Sequence, residues 1–139
     1  MLQFQISILP FIALTIANFF LSWFWYSPVL FAKPWAAALG MDMKKEMTEA
    51  EKKAMPILFL SGLLSSALLS YGLQVVVHSL GMTDFLGGFL AGVVIWATFA
   101  LTHSLNTLWE GRKSIVLLIN NGLFLLTYAV FGGIVAVWR

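Results

Sequence analysis

A histidine inside a long apolar segment is the residue of this chain best placed to do chemistry. His103 lies six residues before Trp109, in a run that is otherwise almost entirely apolar. Polar residues follow it at spacings of three, four and seven, which place them on the same side of an α-helix: Asn106, Thr107 and Glu110. Ionisable groups are costly in hydrocarbon, so a polar stripe inside a membrane span is a candidate site. An imidazole with a carboxylate partner could relay a proton.

Four segments of the chain are long and apolar enough to position such a site within a membrane. They cover residues 2–25, 56–80, 85–109 and 114–138, and at about 1.5 Å per residue each can cross a hydrocarbon core of roughly 30 Å. Only 10% of the residues are charged, whereas a soluble domain has about 25%. We therefore predict an all-α polytopic membrane protein, a four-transmembrane-helix bundle that forms a single domain over residues 1–139.

The first loop contains two further helix signals. Pro34 at the start and Gly40 at the end of a short segment predict a helix, and Trp35 places it at the membrane interface. Thr48 and Glu51 form a capping-box pattern, which predicts that a helix begins there and leads into the second span.

The basic residues predict the orientation of the bundle. Seven of the eight lie in the two loops 26–55 and 110–113, and the opposite side has only Arg139. The positive-inside rule then places both loops in the cytoplasm and both termini outside. We expect Lys33, Arg112 and Lys113 to contact the headgroups of anionic lipids. Because these bases flank membrane spans, they give no signal for nucleic-acid binding.

Alignment of the spans by this orientation predicts a polar layer. Each span has a polar residue about 8–9 Å inside the cytoplasmic interface: Asn18, Ser61, His103 and Asn120. On the second span, helical spacing groups Ser61 with Ser65, Leu68, Gly72 and Ser79. On the third span, it groups His103 with Gly88, Gly92, Trp96 and Phe99. We expect these faces to turn toward the bundle. The predicted binding layer consists of Asn18, Ser61, Ser65, His103, Asn106, Glu110, Asn120 and Asn121.

Small residues predict where helices approach closely. Gly88 and Gly92 on the third span, and Gly132 and Ala136 on the fourth, lie at spacings of four in the outer halves of these helices. Close packing outside would make the helices diverge inside and leave a cavity that opens to the cytoplasm. The same pairs could instead form a subunit interface.

The candidate functions follow from the layer. The first is binding or passage of a small solute, ion or proton, for which four helices would have to form a homo-oligomer. The second is a structural or lipid-binding protein, in which the layer is interhelical hydrogen-bonding glue. An intramembrane enzyme ranks last, because only His103 and Glu110 offer acid–base chemistry. We predict no cofactor and no metal: the chain has no cysteine, and His78 lies at the opposite end of its helix.

Several motifs are similar to those of one known family. They are the run from Asn18 to Pro28 with its Trp-Tyr-Ser-Pro signature, Phe31 to Trp35 with Gly40, Glu110-Gly111-Arg112, and Ile119 to Gly122. The chain resembles the bacterial domain-of-unknown-function family numbered 1761 over essentially its whole length. Ser22 and Ala32 depart from the residues common in that family. The resemblance implies a small four-helix membrane domain, located in a bacterial inner membrane, and no particular activity.

Overall fold

The computed structural model describes residues 1–139, which form helices and no strand. The helices are α1 (Ile8–Trp25), α2 (Ala32–Leu39), α3 (Glu49–Ser79), α4 (Phe85–Trp109) and α5 (Ser114–Val137). All but α2 are long and apolar enough to cross a membrane. The all-helical fold class is therefore confirmed.

The first helix begins later than the sequence predicts, at Ile8 rather than at residue 2. The start of α3 at Glu49, ahead of the apolar span from residue 56, confirms the helix that the capping box predicts. The capping box explains the early start of α3: the backbone amide of Thr48 donates to Glu51 Oε2 at 2.7 Å, and the Glu51 amide donates to Thr48 Oγ1 at 3.3 Å. At the end of α2, Gly40 adopts a left-handed φ of 71°, which favours glycine.

The two ends of the bundle differ in composition. We call the end formed by the loops 26–48 and 110–113 the basic end, because seven of the eight Lys and Arg residues lie in these loops or in the adjoining first turns of α3. The other end, which holds both termini and the turn between α3 and α4, is the distal end. The main hydrophobic core lies in the distal half and is built from α1, α3 and α5. Its buried members are Leu14, Leu73, Val77, Phe131, Val135 and Ala136.

Glycines bring α4 and α5 into backbone contact in this distal half. A Cβ atom at Gly92 would overlap the carbonyl oxygen of Tyr128 and lie 2.9 Å from Ala129 Cα. A Cβ atom at Gly132 would lie 2.5 Å from the Gly88 carbonyl oxygen. The small residues thus join two helices of one chain, as the first of the two sequence interpretations expects.

The buried face of α3 is not the predicted one. The buried side chains include Ser66, Ser70 and Gln74, whereas Ser61 and Ser65 are exposed. The two stripes are offset by one residue, which is about 100° around a helix. Because α3 is apolar on most sides and has serines in both stripes, helical spacing alone does not distinguish them.

A π-helical segment rotates the basic half of α4. The segment extends from Trp96 to Leu101, and its wide turns accommodate an extra residue relative to an α-helix. As a result Ser104 is buried against α5, whereas His103 and Phe99 are exposed. Gly88 and Gly92 of the predicted face pack against α5, whereas beyond the π-helical segment Ser104, rather than His103, contacts α5.

Candidate binding cavity

A cavity of about 1090 Å³ lies in the basic half of the bundle. It lies among the four long helices, in the half opposite the glycine contacts that join α4 to α5. Its walls come from residues 18–28, 55–69, 99–104 and 123–128.

The lining is apolar and aromatic, with a few polar groups. It includes the rings of Phe19, Trp23, Phe59 and Phe124, and it contains no Asp, Glu, Lys or Arg. Such a surface favours an uncharged ligand, because a charge transferred into it would lose its hydration without gaining a countercharge.

Several polar side chains in this lining have no hydrogen-bond partner in the protein, among them His103, Ser65 and Ser27. His103 and Ser65 are exposed on the cavity wall. The Ser27 hydroxyl is buried beside the cavity and lacks a partner. An unpaired buried hydroxyl costs about 1–3 kcal/mol, so these groups are available to a molecule inside the cavity.

Three of the four asparagines of the predicted layer are instead engaged in bonds between helices. Asn18 Nδ2 donates to Ser66 Oγ at 2.9 Å, and Asn121 Nδ2 donates to Ser104 Oγ at 2.8 Å. These bonds tie α1 to α3 and α4 to α5. Ser66 and Ser104 were not among the predicted site residues, because each lies one position away from a residue that was chosen from helical spacing.

A third tie joins the end of α1 to α5. The Tyr26 hydroxyl donates to Asn120 Oδ1 at 2.7 Å, and Trp25 Nε1 donates to the Ile119 carbonyl at 3.0 Å. Burial raises the pKa of Tyr26 to about 12, so the hydroxyl keeps the proton that it donates. Asn120 is thus occupied by a structural partner.

The remaining predicted site residues lie outside the cavity. Ser61 donates to the carbonyl of Leu58 on its own helix at 2.8 Å, and Asn106 is exposed. Glu110 pairs with Arg112 at 2.9 Å on the surface of the basic end. Lys33 and Lys113 are exposed at the same end. Of the eight predicted layer residues, the cavity lining contains Asn18, Ser65 and His103.

The cavity opens sideways between α3 and α4. These two helices make few contacts with each other. Nearer the basic end, both flanks of the gap are exposed: Leu68 on α3 retains 62% of its surface and Phe99 on α4 retains 69%. A molecule could therefore reach His103 from the side of the bundle.

The fold defines the class of protein: a small all-helical chain whose four longest helices could each cross a membrane and together enclose one large cavity. Residues 9–136 match the family model described as "Protein of unknown function (DUF1761)", and the chain belongs to that family. The resemblance found in the sequence motifs is thereby confirmed. No curated protein and no solved structure matches the chain. No three His, Asp or Glu side chains are close enough to share a metal ion.

Proposed function

We propose that this protein is an integral membrane protein that binds a small uncharged amphiphile in the cavity. The observation that carries the proposal is the juxtaposition of an apolar space of about 1090 Å³ with an imidazole, His103, that no protein group engages. This volume of about 1090 Å³ lies just above the roughly 300–1000 Å³ typical of ligand pockets.

The lining indicates the chemistry of the ligand. Aromatic walls suit an apolar body, and a neutral imidazole can donate one hydrogen bond and accept another. We propose a ligand with a hydroxyl or carbonyl group that bonds to His103 or Ser65. A bare ion is a poorer candidate, because the lining supplies no charged side chain.

The sideways opening suggests the route of entry. In a bilayer, the gap between α3 and α4 would face lipid, so an amphiphile could enter from within the membrane. With the basic loops in the cytoplasm, as the positive-inside rule predicts, the cavity would lie in the cytoplasmic half of the bilayer.

Photolabelling with a matched pair of variants tests this proposal. The purified chain in lipid nanodiscs is exposed to a long-chain alcohol with a diazirine, and the labelled residues are mapped by mass spectrometry. Ser65→Phe adds a ring inside the cavity. Ser61→Phe adds the same ring one turn away on the exposed surface, where it does not line the cavity. We expect labelling of cavity residues that Ser65→Phe abolishes and Ser61→Phe preserves. Labelling spread evenly over the lipid-facing helices in every variant would contradict the proposal.

A structural role is the second candidate for the predicted layer, and the bonds of Asn18, Asn120 and Asn121 support it. Such bonds contribute on average about 0.6 kcal/mol in membrane proteins. Asn121→Ala should therefore lower stability in detergent, whereas His103→Leu should not, because His103 makes no bond that the change would break. Equal destabilisation by the two variants would show that His103 belongs to the structural set.

A further inference from the structure

A row of polar side chains continues from the cavity toward the distal end. Ser66 lines the cavity, and Ser70, Gln74 and His78 follow it at successive spacings of four along α3. All four are buried, with Ser70 and Gln74 at 0% exposure. From Ser66 to His78 the row rises about 18 Å. Together the cavity and the row span the bundle from the basic end to the distal end.

Gln74 is the member of the row that points to a ligand. Its Oε1 accepts a hydrogen bond from the backbone amide of Ser7 at 2.9 Å, which fixes the orientation of the amide group. Its Nε2 is then left with two N–H donors, completely buried and without a protein acceptor. A buried donor of this kind normally binds an internal water molecule.

The neighbouring side chains can extend such a water into a chain. Ser70 lies one turn nearer the cavity, and its hydroxyl donates to the Phe11 carbonyl at 3.1 Å, which leaves the oxygen free to accept. His78 lies one turn nearer the distal end, with Nε2 3.3 Å from the Val135 carbonyl oxygen. Its other ring nitrogen can bond to water. The spacing of about 6 Å between successive members matches the reach of one bridging water.

The geometry points to a proton path along this row, from the distal end to the cavity, carried by waters that His78, Gln74 and Ser70 hold in place. In each hop a water accepts a proton on one side and releases one on the other, so one O–H bond forms as another breaks. The net change is the transfer of one proton, and no oxidant or reductant is required. Gln74 orients the water and does not itself exchange a proton. The path does not depend on amphiphile binding in the cavity.

Proton flux into vesicles tests this path. The full chain is reconstituted in liposomes that contain the pH-sensitive dye pyranine, and a potassium gradient with valinomycin supplies the driving potential. Gln74→Leu removes the water ligand and Ser70→Ala removes the adjacent hydroxyl. Gln5→Leu makes the same change as the first variant at an exposed position near the N-terminus. We expect a flux above that of protein-free liposomes, a decrease of at least about tenfold in the first two variants, and no change in Gln5→Leu.

Two results would overturn the path: a wild-type flux no greater than that of protein-free liposomes, or an undiminished flux in a folded variant of the row. Circular dichroism and detergent melting establish which variants are folded. Should Gln74→Leu fail to fold, Ser70→Ala, which removes a single oxygen atom, decides the question. Photolabelling of the cavity in Gln74→Leu distinguishes this proposal from the previous one, since the amphiphile site should survive when the flux is lost.

Discussion

The contact between α4 and α5 makes a sharp prediction for Gly92→Ala. The added methyl group would overlap the Tyr128 carbonyl oxygen and lie 2.6 Å from the carbon of that carbonyl. These are backbone atoms, so no side-chain rotation relieves the overlap and the helices must separate. Overpacking of this kind lowers the free energy of unfolding by about 1–3 kcal/mol. Replacing glycine by alanine in a helix raises it by about 1 kcal/mol, because alanine has the higher helix propensity. We expect a net loss of up to about 2 kcal/mol.

Gly72→Ala is the matched control. Gly72 also lies inside a membrane-length helix, but a Cβ atom there would meet nothing within 4 Å. The control should therefore keep the wild-type free energy of unfolding or gain up to about 1 kcal/mol. Titration of the purified protein with SDS in mixed micelles, followed by circular dichroism, measures both variants. If Gly92→Ala is as stable as Gly72→Ala, the close approach of α4 and α5 is refuted.

Three further substitutions test individual bonds. Ser104→Ala removes the partner of Asn121 and should lower the free energy of unfolding by about 0.6 kcal/mol. Asn106→Ala, at an exposed position, should leave it unchanged. Equal SDS titrations of the two variants would disprove the bond between Ser104 and Asn121. Tyr26→Phe removes the hydroxyl that ties α1 to α5 and should cost about 1 kcal/mol, and an unaltered SDS midpoint would count against that tie. Thr48→Ala removes the cap of α3 and should cost about 1 kcal/mol, with faster hydrogen exchange at residues 49–52; unchanged exchange there would exclude the capping role.

The sequence predicts the elements of this fold better than the rotation of each helix. Local signals act over a few residues, so the cap at Thr48 and the helix end at Gly40 could be recognised directly. The close approach at Gly88 and Gly92 also follows from a short pattern. The inward face of α3 depends on which of two serine stripes packs against α1, a choice made by tertiary contacts such as the bond between Asn18 and Ser66.

Only some of the site residues could be predicted, again because the rotation of each helix depends on tertiary contacts. His103 was identified as the central group, yet its neighbours on the cavity wall come from positions that α-helical spacing does not connect. The period of 3.6 residues that groups His103 with Gly88 and Gly92 does not hold through residues 96–101, where the helix widens. The sequence thus identified polar residues inside the apolar helices, but it did not identify which side chains line the same cavity.

The π-helical segment has a consequence for how related chains should be aligned. Because the segment from Trp96 to Leu101 absorbs one extra residue, a related chain that is one residue shorter here can form a uniform α-helix and still present the counterparts of His103 and Ser104 in the same directions. A gap of one position inside the segment therefore keeps cavity groups aligned with cavity groups, whereas the same gap placed after residue 101 would exchange a cavity group for a packing group. Among homologous proteins, the position of such a gap is therefore as informative about the site as the identity of residue 103.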